Sequence, residues 1–433
     1  LEHKILINNF ATMPEGCYQP EDLDKLVPDI NLNNTTPLPE VSIEEEDIAS
    51  IIYTSGTTGF SKGVVLTHKN LVWDARQCRT IQPVDETYRF VSILPMAHTY
   101  ENTLGLLLPL MFGAQVYYLD RVPTPKLLVP AMQKIRPTVV LSVPLIIEKI
   151  YKSQVLPKFT SSKLMSKLYQ FAPARKLFNR LAGKKLMETF GGELKFFGIG
   201  GSKLDGTVEQ FLREAKFPYA IGYGLTETAP MAAGSNPSQT FLQGVGPVME
   251  GVQIKINNPD KSGQGEIWIK GPNVMKGYYK RPELTAETFT EDGWFKTGDL
   301  GSFDKKNRLA IRGRIKTMIL GASGENIYPE EIESIINNFR FVNESLVVEN
   351  SGKLVAMVHF NMEELEKQYQ KLKDQAGNYK EKINDYIEEQ KQELRDYVNA
   401  RVNNFSKLQL VLVQHEPFEK TPTHKIKRFL YCK

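Results

Sequence analysis

A chain of 433 residues exceeds one ordinary hydrophobic core, so two or more domains are expected. Its 54 Lys and Arg against 50 Asp and Glu leave a formal net charge of +4, too balanced to predict nucleic-acid binding and compatible with loose attraction to an anionic membrane surface. The three cysteines, Cys17, Cys78 and Cys432, form no CxxC or Cys/His cluster, which argues against a disulfide framework or a zinc site and fits a reducing cytoplasm.

The chain opens with LEHKILINN, strand-like and without a leader, so it is expected to start inside a domain. The segment Tyr53–Gly63, YTSGTTGFSKG, then gathers the hydroxyls of Thr54, Ser55, Thr57, Thr58 and Ser61 around Gly56, Gly59 and Gly63, with Lys62 near its end. Hydroxyl donors, backbone N–H groups left accessible by glycine and one mobile cation are what a polyphosphate needs. Lys62 is followed by Gly63 and the apolar VVLT rather than by a helix-opening Ser or Thr, so a strand-loop-strand hairpin is predicted instead of a Walker loop. The apolar stretch Leu104–Leu119 is broken by Pro109, Gly113 and Gln115 and reads as a buried helix followed by a core strand, not as a membrane span.

From Ile51 to about Leu225 the strands SIIYT, FVSILP, AQVYYLD, TVVLSVP, LKFFGIGG and PYAIGYG alternate with helical stretches such as Pro125–Ile135 and Asp205–Lys216. That alternation predicts an α/β architecture with a largely parallel sheet. Ligands in such sheets lie beyond the carboxyl ends of strands, where GIGGSK (Gly198–Lys203) and GYGLTET (Gly222–Thr228) both fall. Residues 243–312 read as short strands of a small barrel or distorted sheet. Beyond Lys316 the helix YPEEIESIINNF, strands SLVVEN, KLVAMVHF and LQLVLVQ, and a charged helical stretch between Asn361 and Asn404 predict an α+β domain. The expected division is therefore 1–315, a large domain of layered α/β sheets with the β-rich subdomain, and 316–433, a small mobile domain.

In this order, YTSGTTGFSKGVVLTH, LPMAHTYE, GYGLTETAP, GEIWIKGPNVMKGYYKRPELT, GWFKTGDLG, GRIKTMILGASGENIYPEEIE and TPTHKIKR resemble the adenylate-forming (AMP-binding) superfamily over nearly the whole chain. In AHTYEN and GASGENIYPEEIE the sequence most resembles the bacterial long-chain fatty-acid–CoA ligases, without the N-terminal part that they carry. The resemblance implies that ATP and a fatty acid form acyl-AMP, from which coenzyme A displaces AMP.

Under that resemblance Thr226 supplies a hydroxyl to the α-phosphate and Glu227 a ligand to Mg²⁺. Gly201, Ser202 and Lys203 rim the adenine, Gly222, Tyr223 and Gly224 carry the stacking ring, and Asp299 with Arg314 takes the ribose. Lys425 matches the catalytic lysine that reaches α-phosphate and carboxylate, Lys316 matches the hinge, and His98 with Tyr100 borders the acyl pocket. His424 stands where many relatives carry glycine, and Lys427 and Arg428 read as a surface patch. Expected partners are the fatty acid, ATP and CoA, with no nucleic acid; a peripheral contact with the inner membrane face and a homodimer are also carried as expectations. Two alternatives stay open: adenylation of a short-chain, aryl or amino acid, and a non-catalytic nucleotide-binding fragment.

Overall fold

The computed structural model describes residues 4–5, 17–18, 41–55, 61–119, 124–160, 162–321, 325–372, 379–420 and 426–432. Leu1–Glu44 and Glu45–Lys433 are separate compact units. In the first, Lys4–Ile5 and Cys17–Tyr18 pair as short parallel strands.

In the second unit the hydroxyl-rich segment forms the predicted hairpin. Ile48–Ser55 runs antiparallel to Ser61–Thr67, with Ser55 opposite Ser61 and Thr54 opposite Lys62. Thr67 ends the hairpin and caps the helix His68–Ile81: its hydroxyl accepts from Asn70 N, while the Asn70 side chain accepts from Thr67 N. This reciprocal cap fixes the angle at which the helix leaves the sheet.

The central sheet has the order Met231–Gly234, Tyr219–Gly224, Phe196–Ile199, Val139–Ser142, Arg89–Ser92, Gln115–Tyr118. All neighbours are parallel except the first pair. Every residue of Val139–Ser142 is buried, as expected for a parallel strand covered on both faces. The parallel order puts the ends at Ile199 and Gly224 on one rim, so the two glycine-rich loops emerge side by side.

The Leu104–Leu119 stretch is only partly as expected. A π-helical segment, Glu101–Leu107, runs into Leu108–Met111 and buries Leu104 and Leu108. The following strand, Gln115–Tyr118, is not a core strand: it lies at the sheet edge, where Tyr117 and Tyr118 remain exposed because among the described residues no strand pairs with its outer side. No helix among the described residues is long and apolar enough to cross a membrane.

A run of helices that the strand alternation did not signal, Pro144–Ile150, Leu156–Thr160, Lys163–Gln170 and Ala172–Thr189, packs on the sheet. Phe159 stacks on Tyr169 and Phe178 at centroid distances of 4.7 and 5.7 Å. Downstream, a four-stranded antiparallel sheet spans Gln253–Arg314, with register breaks between Glu266 and Trp268 and between Leu300 and Gly301.

The last part of the chain builds its own core around Ile332, Ile336, Val347, Ala356 and Val358. Its helices Met362–Leu372 and Tyr379–Asn399 insert Leu365, Tyr369, Tyr386 and Leu394 into that core, so the charged helical stretch packs on its own neighbourhood. Arg428 departs from the surface reading. Its guanidinium holds both oxygens of Glu333 at 2.7 and 2.8 Å and donates to Val347 O, because a cation so placed offsets the cost of burying that carboxylate. Lys152, from the helical run, donates to Asn337 O and Val342 O at 2.6 and 2.7 Å and ties this part of the unit to the central sheet's helices.

Glu101 is buried beside Tyr100 in the π-helical segment, and one of its oxygens has no partner. Burial pushes its carboxyl up to about 7, with Ser92 opposing the shift. An unfolded glutamate ionises near 4.5, so the stability carried by the neutral buried form is complete below that pH and lost as pH rises through about 7. At pH 8 the ionised group costs on the order of 3 kcal/mol relative to a neutral one. Glu101→Gln is therefore expected to raise stability at pH 8 and to reduce its fall between pH 5 and 8 in chemical denaturation. Some slope remains because burial also raises Glu148 and Glu333 to about 7. A slope identical to that of the parent protein would contradict the assignment.

Candidate functional site

Glu227 lies in a single helical turn, Thr226–Thr228, that closes the rim beyond Tyr219–Gly224. The chain turns back so tightly that a Cβ on Gly224 would stand 1.7 Å from Pro230 O, so glycine is required there. Thr228 locks the turn, its hydroxyl accepting from Leu225 N and donating to Pro230 O at 2.6 Å. The buried Asn273 amide donates to Thr228 O and Met231 O. With both backbone carbonyls satisfied from within, Glu227 is left as the turn's outward acid.

The hydroxyl-rich hairpin reaches the same acid through a third strand. Gly277–Tyr278 pairs with Ser61–Thr67, placing Tyr278 opposite Val64. From there the Tyr278 hydroxyl donates to Glu227 Oε1 at 2.8 Å, while Lys62 Nζ sits 4.9 Å from the Tyr278 ring centroid. Burial and the negative charge of Glu227 push the Tyr278 phenol up. Lys62 is pulled down, first by burial and then by the positive charge of Lys316, with Glu227 and Glu287 opposing. Positive charge from Lys316 thus acts on Lys62 beside an acid, an arrangement that a polyanion would relieve.

A second cluster joins the two sheets. The buried Tyr223 hydroxyl donates to Asp299 Oδ2 at 2.9 Å, and Arg314 Nε meets Asp299 Oδ1 at 3.0 Å. Asp299 and Arg314 are cross-strand partners, and Asp299 is buried while Arg314 is 45% exposed on its side chain. Burial and the Asp299 charge push Tyr223 up; Asp299 first, then Tyr223 and Glu227, holds Arg314 above its ordinary value. Glu227 therefore acts electrostatically on both Lys62 and Arg314.

Gly201, Ser202 and Lys203 follow the end of the Phe196–Ile199 strand on the shared rim. The Lys203 ammonium meets Glu331 Oε1 at 2.5 Å, so its side chain is committed to the helix Pro329–Asn337 and its backbone is what borders the rim. Gly222 packs its Cα against Met231, where a Cβ would approach the sulfur to 2.9 Å. Tyr100 is buried beneath this loop, its hydroxyl 2.9 Å from where a Cβ on Gly198 would stand, and its backbone N–H donates to His98 Nδ1 at 3.2 Å. His98 is half-buried.

Thr54, Lys62, Thr226, Glu227, Tyr223, Asp299, Arg314 and Lys316 are all described, and the backbone of Ser55 with them. Gly56, Thr57, Thr58, Gly59, His424 and Lys425 lie outside the described residues. The sequence reading singled out neither Tyr278 nor Asn273, although both stand in the quoted GPNVMKGYY string. Their signal was an asparagine in a turn and an aromatic in a short glycine-punctuated strand, which point to no partner until the return past Pro230 and the pairing with the hairpin are known. Among the described residues no three His, Cys, Asp or Glu come together to hold a metal ion.

The Arabidopsis thaliana peroxisomal long chain acyl-CoA synthetase 6 is 30% identical over 92% of this chain and 61% of its own length. The Saccharomyces cerevisiae long-chain-fatty-acid–CoA ligase 1 is 31% identical over 71% of this chain, which spans 47% of that protein. This chain thus spans less than two thirds of either relative. The fold matches the o-succinylbenzoate coenzyme A synthetase (MenE) of Bacillus subtilis in complex with ATP and a magnesium ion, with a TM-score of 0.70 at 23% identity over 95% of this chain and 74% of that one. The AMP-binding enzyme family model matches residues 3–279. This match covers the hairpin, the shared rim, the Glu227 turn and Tyr278, and by it the chain belongs to the AMP-binding enzyme family.

Proposed function

We propose that the protein couples ATP to a long-chain fatty acid and then transfers the acyl group to coenzyme A. The observation that carries this reading is the placement of Glu227 within the fields of both Lys62 and Arg314. The names of the relatives above support the substrate class. In the first step a carboxylate oxygen attacks the α-phosphorus of ATP and pyrophosphate leaves; in the second the CoA sulfur bonds to the acyl carbon, AMP leaves, and the thiol proton passes to solvent.

Both reactants of the first step are anions, so the site must supply cations before they approach. Lys62 with the hairpin backbone would take the β- and γ-phosphates, and Thr226 the α-phosphate. Asp299, already oriented by Tyr223 and Arg314, would accept from the ribose diol. The Gly201–Lys203 backbone and Tyr223 would border the adenine. A single half-buried carboxylate, Glu227, suits Mg²⁺, which takes few protein oxygens and keeps its waters. When bound, that ion would offset charge on the departing pyrophosphate.

Lys425 is the proposed cation between α-phosphate and carboxylate, carried by a mobile region beginning at Lys316. Rotation about that hinge would release Lys152 from Asn337 O and Val342 O and part Lys203 from Glu331. The ion pair is partly exposed and contributes about 0–1 kcal/mol, a small barrier to such movement. His98 and Tyr100 are proposed to border the acyl pocket, next to the apolar residues Leu104 and Leu108. The cysteines fit a cytoplasmic location: Cys78 and Cys432 are both free thiols.

Lys425→Ala is expected to abolish acyl-AMP formation while leaving the conversion of supplied acyl-AMP and CoA largely intact, measured as separate half-reactions. Equal loss of both would contradict the role. Tyr278→Phe removes the bond that orients Glu227 but keeps the ring beneath Lys62; a hydrogen bond to a charged group contributes about 1.5 kcal/mol or more, so Mg²⁺-dependent turnover should fall roughly tenfold. An unchanged magnesium titration would show that Tyr278 does not act through the acid. Each buried methylene is worth about 0.8 kcal/mol, or roughly fourfold in kcat/KM. AMP release should therefore climb across even-numbered acids from acetate to medium chains and level off near palmitate. A maximum at acetate, benzoate or an amino acid would overturn the long-chain assignment and leave adenylation standing.

A further inference from the structure

The helices Lys163–Gln170 and Ala172–Thr189 present a surface that the proposed reaction does not use. Leu164, Leu168, Phe171, Leu177 and Leu181 are exposed there, with Leu164, Phe171 and Leu181 each more than 60% accessible. From Lys149 to Met187 the sequence holds ten Lys and Arg and no Asp or Glu. Elsewhere the chain mixes the two signs almost evenly, so the segregation is local.

Packing fixes which way the longer helix faces. Asn179, Gly183 and Leu186 form its buried stripe. A Cβ on Gly183 would stand 2.6 Å from the Ala215 Cβ, so the helix lies close against the end of Gly206–Glu214. Arg175 grips the Glu214 carboxylate at 2.8 Å and Asn179 donates to the same group at 2.7 Å. With that side pinned, Lys176, Leu177, Arg180, Leu181, Lys184 and Lys185 fall on the outward side at helical spacing, and all are exposed. Phe178 and Ala182 pack inward against the core, so the helix offers one face alone.

We propose that this face docks on an anionic lipid bilayer. Leucine and phenylalanine flanked by lysine and arginine suit the boundary between acyl chains and negatively charged headgroups: the apolar side chains enter and the cations remain at the phosphates. A partner that wraps a basic amphipathic helix needs it free of its own fold, whereas this one is pinned along its inner side; a planar anionic surface matches what remains. The docking adds to the proposed function a location beside the phase in which a long-chain fatty acid dissolves, and it is measured without any catalytic step.

The experiment is co-sedimentation of the 433-residue protein with phosphatidylcholine vesicles, with or without one third phosphatidylglycerol, at low and high salt. Expected is binding to the anionic vesicles that weakens with salt and is much weaker on phosphatidylcholine alone. Lys176→Glu/Arg180→Glu/Lys184→Glu should lower the partition coefficient at least about tenfold, and Leu177→Ser/Leu181→Ser should remove the salt-resistant part of binding. Because these side chains are exposed, both variants should unfold at the parent's denaturant midpoint, and that measurement separates lost docking from lost fold. The proposal is overturned if the parent stays in the supernatant with anionic vesicles, or if both variants sediment as it does. It is overturned equally if the leucine variant abolishes self-association while vesicle binding is unaffected, since the face would then be an interface between copies of the chain.

Discussion

The arrangement turns on one hydrogen bond, from the Tyr278 hydroxyl to Glu227 Oε1. Tyr278 belongs to the strand that completes the hydroxyl-rich hairpin's sheet; Glu227 belongs to the turn that ends the central sheet's Tyr219–Gly224 strand. That contact fixes the carboxylate itself, while Met275 N, donating to Glu227 O, and Lys276 N, donating to Val65 O, tie the turn's backbone and the hairpin to the same segment. The enabling condition is steric: only glycine at 224 allows the return past Pro230 O, and Asn273 satisfies the carbonyls that the return exposes. A buried amide with both donors used is expensive to disturb, so the acid's position is set by the fold rather than by a ligand.

The same economy appears at Asp299. One carboxylate is held by a buried phenol and by a partly exposed guanidinium, so it stays oriented while one side of the pair remains open to solvent. Rigid acceptors suit a diol, and neighbouring cations suit phosphates. The proposed nucleotide site would use both, and the chain belongs to the AMP-binding enzyme family. The proposed acyl substrate is less strongly specified, because the apolar residues Leu104, Leu108 and Tyr100 are also ordinary core.

Much of this was legible in the residues. The hairpin could be read because glycine, hydroxyls and a lysine without a following helix signal have few other uses, and the parallel sheet because its strands are continuous apolar runs. The loops at Gly198–Lys203 and Gly222–Thr228 followed from the strand ends. Tyr278 could not be found, since its place depends on strand pairing across some two hundred residues with the hairpin, and Asn273 could not because its amide serves the Thr228 and Met231 carbonyls more than forty residues upstream. Glu101 was hidden because an acid beside an apolar run looks like a solvated residue until burial is seen. The edge position of Gln115–Tyr118 depends on sheet order, which local pattern does not encode, and Arg428 read as surface because its partner Glu333 lies far upstream. The Pro144–Thr189 helices were obscured by two-faced patterning: one stripe packs while the other leaves leucines in solvent.

The central claim is that this site makes an acyl adenylate. The most direct measurement is the exchange of labelled pyrophosphate into ATP with palmitate present and CoA absent, which isolates the reversible first step from everything after it. The expected result is palmitate-dependent exchange, with AMP as the nucleotide product once CoA is added. Palmitate-independent exchange, no exchange at any palmitate concentration, or formation of ADP in place of AMP would contradict the account.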